Sequence, residues 1–387
     1  MAAIFAAAAG AETLLLERTA DGGRKILISG GGRCNILPAR LDETRFVTDS
    51  SPHTLRNIIR SWPLREQVAF FEQELQLPLA EETESGKLFP VSNRARDVRD
   101  GLLALAARRG AKVLLGSCVT GVRRDGAHWQ VTSDGAPPLD ADAVIVASGG
   151  LSVPRTGSEG FGLTLARALG HTVHPTYAAL TPITSHPAPF GALSGVSLTV
   201  TITAQSAARS ATATGGFLFT HRGYSGPSVL DVSHVAVRDR AARLLVRWTA
   251  HDDAAWESLL KADGARQVNT VLRGHLPERL AFALLGVAGV EPTRTIAQLR
   301  REERRALIEV LVRTALPWTG DEGYAKAEVT GGGVNLAEIN PRTMESRKHP
   351  GLFLCGEMLD AFGPIGGYNF LWAWATGRAA GIGAAAG

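Results

Sequence analysis

The chain has 387 residues, enough for two or three domains, and its 45% hydrophobic and 20% charged residues are ordinary for a soluble globular protein. The net charge of +4, with no run of five basic residues, does not point to nucleic acid, and three scattered cysteines argue against a disulfide framework or a zinc site. No apolar run of about 18 residues occurs, so we predict no membrane span and expect a cytoplasmic protein.

In chain order, the first half mixes helical and strand patterns. Residues 1–10 predict an alanine-rich helix, and residues 13–16 a strand. Apolar residues at three- and four-residue spacing predict amphipathic helices at residues 65–77 and 97–109. Further strands are predicted at residues 112–119, 128–132 and 142–147. The last of these is an apolar run that ends in Ser148 and two glycines, which is typical of a buried parallel strand stopping at a ligand loop.

The second half departs from this pattern and then returns to it. Thr/Val/Ser-rich segments between about residues 175 and 250 predict a small antiparallel domain, and residues 253–317 are mostly helical in pattern. Strands at residues 324–330 and 352–355 precede a final helix at residues 370–386. We therefore predict one α/β domain that carries an insertion.

Two N-terminal features indicate a nucleotide ligand. Glu17 follows the first strand, where Rossmann-type folds often have an acid that binds ribose hydroxyls, although many ordinary strands also end in glutamate. Residues 22–35, GGRKILISGGGRCN, place four small residues (Ser29, Gly30, Gly31, Gly32) beside the donors Arg33 and Asn35. Such a backbone can approach a flat ligand, and Lys25 or Arg24 can offset phosphate charge. A flexible surface turn is the alternative.

The C-terminal stretch has the same character. A short strand ends at Gly356 and Glu357, and Asp360 follows at a distance suited to a sugar or ribityl hydroxyl. Gly366, Gly367, Tyr368 and Asn369 then begin the last helix, whose N–H groups and dipole suit the negative edge of a reduced flavin. We expect Gly377 and Gly381 to let this helix pack closely on the sheet. The alternative is a helix packed for stability alone.

Together these segments resemble one family. The matching motifs are GRKILISGGGRCN (23–35), KLFPVSNRARDV (87–98), DAVIVASGGLSVPRTGSEGFG (142–162), LGHTV (169–173), FLFTHRGYSGPSVLD (217–231), VTGGGVNLAEINPRTMES (329–346) and GLFLCGEMLDAFGPIGGYN (351–369). They are similar to the aminoacetone-oxidase-type, BaiN-like NAD(P)/FAD-dependent oxidoreductases of bacteria, in the same order along the whole chain.

The resemblance implies an α/β fold: a Rossmann-like FAD-binding domain at residues 1–175 and 321–387, a β-rich substrate domain at 176–251 and a small helical domain at 252–320. It also implies the cofactor-binding residues. These are Glu17, Lys25, Ser29, Gly30, Gly31, Gly32, Arg33, Cys34, Asn35, Val119, Ala147, Ser148, Gly149, Gly356, Glu357, Asp360, Gly366, Gly367, Tyr368 and Asn369. Ser148 stands where the family has threonine.

The start of the chain departs from the family, which begins with a strand and a GxGxxG turn. Residues 1–5 match the helix that follows this turn. Our interpretation is that Met1 is an internal methionine and that roughly 10–15 upstream residues, one strand and its glycine turn, are missing.

Because the cofactor carries the electron chemistry, we expect FAD-dependent hydride transfer between flavin N5 and a small organic substrate: an amine, an imine or an activated C=C. NAD(P)H, bound transiently, or oxygen would be the second partner, and neither a metal nor a nucleic acid is expected. His221 and Tyr224 are candidate proton-transfer residues, and Arg155 is a candidate anchor for an acidic substrate. The alternatives are a turn histidine bonded to the backbone for His221 and a solvated surface charge for Arg155. Cys34 can be a redox group or a small buried side chain.

Two alternatives from other classes remain. One is an FAD-dependent RNA-modifying protein, for which the basic motif RREERR at residues 300–305 is the nearest candidate surface, although its acidic neighbours and helical spacing favour a solvated helix face. The other is a truncated homologue that binds no cofactor.

Overall fold

A computed structural model describes every residue from Met1 to Gly387. The chain divides into two compact units, one made of Met1–Tyr177 with Val329–Gly387 and the other of Ala178–Glu328. The first unit is therefore built from both ends of the chain, and the second is an insertion.

The helices are α1 (Ala2–Ala8), α2 (Arg24–Ile28), α3 (Pro52–Arg60), α4 (Leu64–Ala69), α5 (Ala95–Arg108), α6 (Phe161–Ala168), α7 (Pro227–Arg238), α8 (Asp253–Ala262), α9 (Val268–Arg273), α10 (Glu278–Ala288), α11 (Arg301–Arg313) and α12 (Tyr368–Ala385). None of them is long and apolar enough to span a bilayer.

The strands are β1 (Leu14–Glu17), β2 (Leu37–Pro38), β3 (Leu79–Glu82), β4 (Lys87–Pro90), β5 (Lys112–Leu115), β6 (Val119–Asp125), β7 (His128–Ser133), β8 (Ala136–Ala141), β9 (Val144–Val146), β10 (Val173–Ala179), β11 (Ile183–Thr184), β12 (Ser197–Gln205), β13 (Ser210–Thr220), β14 (Gly223–Ser225), β15 (Arg243–Arg247), β16 (Thr314–Leu316), β17 (Gly320–Asp321), β18 (Val329–Val334) and β19 (Leu352–Leu354).

Parallel pairing in the first unit gives its α/β character. Strand β1 pairs with β5, and β9 pairs with β19, each in parallel register. Two small antiparallel sheets, β2–β4–β3 and β6–β7–β8, and the pair β10–β18 complete the unit. Because β9 and β19 lie far apart in sequence, their pairing joins the two ends of the chain. The predicted α/β class is confirmed.

Helix α12 lies in the core of the first unit. Trp372 and Trp374 are 1% and 6% exposed, so both indoles are core residues, as their apolar surroundings in the sequence indicate. A Cβ at Gly381 would lie 2.3 Å from the carbonyl oxygen of Ala2, and one at Gly377 would lie 3.2 Å from Met1 Cβ. These glycines therefore allow close packing of α12 against α1, whereas the sequence analysis assigned them to contact with the sheet.

The second unit is built on a seven-stranded sheet of order β16–β15–β12–β13–β14–β11–β17. Helix α7 covers one face, and its Val229, Val232 and Val235 are buried. Residues of α8 to α11 belong to the same hydrophobic cluster as the sheet. The sequence analysis separates residues 252–320 as a domain, but the helices have no core of their own because their apolar faces are completed by the sheet.

A buried polar network fixes the end of α6 in the first unit. His171 Nδ1 lies 2.8 Å from Glu338 Oε2, and its Nε2 lies 2.9 Å from Ser346 Oγ. Ser346 Oγ also accepts hydrogen bonds from the backbone N–H groups of Lys348 and His349. With these two bonds accepted, its hydroxyl proton is directed to His171 Nε2, which requires a neutral ring with the proton on Nδ1.

We expect acid to destabilise this network in two steps. Burial lowers the pKa of His171, opposed by the Glu338 carboxylate, so stability should fall as the pH drops below about 6.5. Burial would raise the pKa of Glu338, but hydrogen bonds from Lys348, Thr172 and His171 lower it to about 2, so a second loss follows as the pH falls below the ordinary range of a glutamate. Unfolding midpoints between pH 8 and about pH 2 measure both steps. His171→Gln should lose only the first, and equal profiles for the two proteins would contradict this assignment.

Candidate functional site

The glycine-rich segment at residues 22–35 is more ordered than its composition suggests. Residues 24–28 form α2, and a short turn follows in which Gly30, Gly31 and Gly32 have φ of 56°, 68° and 87°. The turn closes through a hydrogen bond from Cys34 N to Ser29 O at 3.1 Å. A Cβ at Gly31 would meet no atom within 4 Å, so the backbone is open there to a ligand.

Two side chains of this segment, Arg33 and Asn35, are held by contacts within the protein. The guanidinium carbon of Arg33 lies 4.1 Å from the centre of the Phe89 ring, and its Nη1 lies 2.9 Å from Glu82 Oε1. The Asn35 amide, oriented to satisfy both of its ends, accepts from Gly367 N at 2.9 Å and donates to Leu37 O at 3.2 Å. Asn35 therefore joins the glycine-rich segment to the start of α12, two segments that the sequence analysis assigned to one site.

Cys34 is fully buried, and burial raises the pKa of its thiol to about 11, against a hydrogen bond from Ser29 that lowers it. We expect iodoacetamide at pH 8 to alkylate the half-buried Cys118 in the folded protein but not Cys34, because the thiolate is the reactive form. Peptide mass spectrometry checks this, with all three cysteines alkylated after denaturation as the control. Native labelling of Cys34 at the rate of Cys118 would show that the thiol is accessible and reactive.

A charged cluster joins four separate segments of the first unit. The Lys25 ammonium pairs with the Glu357 carboxylate and lies 2.5 Å from Ser152 Oγ. Ser152 Oγ donates to Glu357 Oε1 at 2.5 Å, and Thr330 donates to the same oxygen through its N–H and its hydroxyl, both at 2.9 Å. Lys25 is therefore committed to Glu357, whereas the sequence analysis assigned it to phosphate charge.

Ser152 and Thr330 were missed by the sequence analysis. Both are fully buried, and Thr330 Oγ1 accepts from Leu151 N at 2.7 Å. A Cβ at Gly150 would lie 2.4 Å from Thr330 Oγ1, so this cluster requires glycine there. The available signal was the SGGLS segment after β9, but nothing local in the sequence connects it to residues 330 and 357.

Asp360 is a buried acceptor for a neighbouring turn. Its Oδ2 accepts from Asp49 N at 2.9 Å, from Ser50 N at 2.7 Å and from the hydroxyls of Ser50 and Thr48. The side chain is 2% exposed and has His174 Nε2 at 3.7 Å. These bonds hold residues 48–50 against the loop after β19, so Oδ2 is engaged within the protein.

The start of α12 is rigid and partly open. The Asn369 amide makes paired hydrogen bonds with the N–H and carbonyl of Gly363, both at 2.9 Å. Gly367, at φ 89°, precedes the first helical residue, and the buried Tyr368 has its hydroxyl 3.3 Å from Asp42 N. A Cβ at Gly366 or Gly356 would meet nothing within 4 Å. The N–H groups of this helix start therefore adjoin open space.

The remaining cofactor candidates lie at strand ends of the first unit. Glu17 Oε1 accepts from Thr19 N at 2.7 Å and from its hydroxyl at 2.6 Å. Val119 begins β6, and Ala147, Ser148 and Gly149 follow β9. Ser148 Oγ accepts from Gly162 N at 3.0 Å, which ties this loop to the first turn of α6.

The three candidates for substrate chemistry are not alike in exposure. Arg155 is exposed and has no ion-pair partner, in a turn where Val153 has φ 49°. His221 is exposed in the two-residue turn between β13 and β14. Tyr224 is 1% exposed, donates to Pro317 O at 3.0 Å, and burial raises the pKa of its hydroxyl to about 12. Tyr224 thus lies in the core of the second unit, while His221 lies at its surface.

The arrangement in the first unit fits a dinucleotide. It combines an acid at the end of a parallel strand, a glycine turn, a partly buried ion pair and a helix start without a side-chain cap. The glycines at three loop positions (Gly31, Gly356, Gly366) leave open space where a side chain would stand. The residues present are those that hold nucleotide hydroxyls, phosphates and a ring that gains negative charge.

Comparison with known proteins assigns the family. The HI0933-like protein Rossmann domain family matches residues 1–383. The chain belongs to this family. Membership confirms the resemblance to BaiN-like flavoproteins and the Rossmann-type fold, and the chain is accordingly an FAD-dependent oxidoreductase.

Two curated relatives are similar over nearly the whole chain. The ribosomal RNA dihydrouridine synthase of Escherichia coli strain K12 is 32% identical, covering 96% of this chain and 92% of its own length. The 3-dehydro-bile acid delta(4,6)-reductase of Clostridium scindens is 31% identical, covering 97% of this chain and 93% of its own length. Among solved structures, the 3-ketosteroid-delta4-(5alpha)-dehydrogenase of Rhodococcus jostii RHA1 covers 99% of this chain and 94% of its own, with 17% identity and a TM-score of 0.48.

Proposed function

We propose that this protein reduces a carbon–carbon double bond conjugated to a carbonyl group. The supporting observation is that two full-length relatives have names implying this same bond change on unlike substrates. Dihydrouridine is uridine with the C5=C6 bond, conjugated to the C4 carbonyl, saturated, and a delta(4,6)-reductase of a 3-dehydro acid saturates a ring double bond conjugated to a ketone. This narrows our expected substrates from amines, imines and activated C=C bonds to the last class.

FAD, when bound, supplies the hydride. The chain's own residues bind and orient it: Glu17 accepts from ribose hydroxyls, the turn at Gly30–Gly32 admits the cofactor to the backbone, and the Lys25–Glu357 pair fixes the loops that surround it. The N–H groups at the start of α12 stabilise negative charge on the ring.

The substrate carbon beside the carbonyl must also gain a proton. We assign this proton to His221, because its imidazole is exposed at the surface of the second unit and histidine is the commonest general acid in proteins. Arg155, exposed and unpaired, would bind an oxygen of the substrate. Tyr224, buried beneath the β13–β14 turn, would support that turn rather than exchange a proton. NAD(P)H, bound transiently, would be the reductant.

The test follows flavin absorbance. Protein loaded with FAD is reduced anaerobically with NADPH or NADH and mixed with a cyclic enone, and reoxidation is expected with the saturated ketone as product. Failure to take up FAD, or reoxidation by oxygen but by no enone, would overturn the proposal. His221→Gln should slow reoxidation by the enone about 10²–10⁴-fold without slowing reduction. His186→Gln, another exposed histidine of the second unit, is the matched control.

A second candidate substrate is a uracil base in RNA, as in the name of the Escherichia coli relative. An rRNA transcript without modifications, incubated with the reduced protein, should gain two hydrogens in one nucleotide by mass spectrometry. No mass gain, together with enone reduction, would assign the protein to small molecules.

A further inference from the structure

The seven-stranded sheet of the second unit has one face that no helix covers. Along β12, Val200, Ile202 and Ala204 point to the core, where α7 packs, and the alternating residues point away from it. The outward side chains are Thr199, Thr201, Thr203 and Gln205 of β12, Ser210, Thr212 and Thr214 of β13, and Arg243, Leu245 and Arg247 of β15. We call this set the open face.

Strand register arranges the open face in rows. Thr201 stands between Thr214 and Arg247, and Gln205 stands between Ser210 and Arg243. The hydroxyls of Thr201 and Thr214 are 2.8 Å apart, and those of Thr203 and Thr212 are 2.9 Å apart. The short hydroxyl side chains, held in pairs, make a flat and mostly polar surface, and along β15 the two arginines stand about 13 Å apart with Leu245 between them.

The open face carries basic side chains and no acidic ones. No Asp or Glu occurs between Glu159 and Asp231, so β12 and β13 carry no acid, and β15 carries none either. Neither Arg243 nor Arg247 has an ion-pair partner, and Arg247 Nε is shielded from solvent without a hydrogen-bond partner. Arg243 is exposed and Arg247 is partly exposed, so their guanidinium groups, rather than the shielded Nε of Arg247, are the donors that an anion can reach.

The basic motif singled out in the sequence behaves differently. On the helical side of the same unit, Glu303 pairs with Arg294 and Arg300, and Arg304 pairs with Glu257. Half of that motif is therefore neutralised within the protein. Uncompensated positive charge with hydrogen-bonding hydroxyls is instead found together on the open face.

We propose that the open face binds the sugar–phosphate backbone of a folded RNA. Hydroxyl and guanidinium groups are the usual donors to phosphate and ribose oxygens, and such contacts position RNA without reading its sequence. The face carries no aromatic side chain, so it offers no platform for base stacking. This proposal rests on the RNA candidate above and adds the surface by which RNA would be held.

Strand β13 connects the open face with the turn that carries His221. Strand β13 carries Thr212 and Thr214 on the open face and ends at Thr220, directly before His221 and Arg222. His221 follows Thr214 by seven residues, or about 23 Å along the strand. RNA on the open face therefore extends toward the turn that carries the proposed proton donor.

The test compares two double variants of equal charge change in the FAD-loaded protein. Arg243→Gln/Arg247→Gln removes the arginines of the open face, and Arg301→Gln/Arg305→Gln removes two exposed, unpaired arginines of α11, also four residues apart in sequence. Affinity for a fluorescein-labelled RNA hairpin is measured by anisotropy over a series of salt concentrations. The first variant should bind about tenfold more weakly per arginine, with the slope of log K against log salt reduced by about two. The second should bind as the parent does.

A further variant controls for misfolding as the cause of weaker RNA binding. Thr212→Glu adds an acid at an exposed position without removing any contact of Arg247, and it should also weaken RNA binding while flavin content and Tm stay at parental values. Unchanged affinity in this variant and the first, or equal weakening in both double variants, overturns the proposal. A change of oligomeric mass in the first variant would instead assign the face to a second copy of the chain. RNA bound through the face without any base reduced would contradict the RNA candidate while leaving the surface assignment intact.

Discussion

Gly367→Ala is expected to lower the free energy of unfolding by about 3 kcal/mol or more, since it combines backbone strain with overpacking. Gly367 has φ 89°, and its Cβ would lie 2.4 Å from Leu37 C and 2.7 Å from Pro38 N. Both neighbours are backbone atoms, which no rotamer change can move. Chemical denaturation of parent and variant measures the effect, and FAD content should fall with it because the start of α12 would shift.

Gly366→Ala is the matched control for this position. Its φ of 122° also disfavours a side chain, but its Cβ would meet no protein atom within 4 Å. The variant should lose about 1–2 kcal/mol of stability from backbone strain and remain folded, while FAD binding weakens because the new methyl group enters the space assigned to the cofactor. Equal stability losses at the two positions, or full FAD affinity in Gly366→Ala, would contradict the site as described.

Glu357→Gln is expected to destabilise the first unit by about 3 kcal/mol, because it leaves the Lys25 ammonium without its carboxylate in a largely buried position. Ser152 and Thr330 would each lose a charged acceptor at the same time. Denaturation gives the stability change. Titration with FAD should show weaker binding, since four segments that surround the proposed site are joined through this carboxylate.

Two further variants separate the charge from the packing. Asp21→Asn breaks an exposed ion pair with Arg24 in the same region and should change stability by less than about 1 kcal/mol. Lys25→Met combined with Glu357→Gln removes both charges and should recover part of the lost stability without recovering FAD affinity. If the double variant is as unstable as Glu357→Gln alone, the unpaired ammonium is not the cause of the loss.

Elements with a strong local pattern could be predicted from the sequence. The apolar run before Ser148 and the one before Gly356 are β9 and β19, and the alanine-rich start is α1, within one or two residues. Helix α7 was missed because its valines favour strands and the surrounding Thr/Val/Ser-rich segments predicted an antiparallel domain; Pro227 is at the first position of the helix. Residues 65–77 were predicted as one helix, but α4 ends at Ala69 and a π-helical turn follows.

In the candidate site, too, local features could be predicted from the sequence and contacts between distant segments could not. Glycine turns and helix starts are local, so the segments at residues 29–35 and 366–369 could be found from composition. Pairings across the chain could not: Lys25 meets Glu357 at a separation of 332 residues, and Thr330 meets Glu357 only because β18 and the loop after β19 are brought together by the fold. The unpaired state of Arg243 and Arg247 likewise depends on which acids lie nearby in space.

The first unit is made from both ends of the chain, and this sets an order for its synthesis. Residues 1–177 leave the ribosome before α12 and β19 have been translated. Ile4 on α1 and Val146 on β9 therefore lack the elements that bury them in the folded protein. At about 5–20 residues per second, translating Ala178–Glu328 takes roughly 8–30 s, long enough for the inserted unit to fold around its own core. The nascent N-terminal segment must remain able to fold throughout this interval, so the second unit is expected to be native first and the first unit to form only once Val329–Gly387 has been translated.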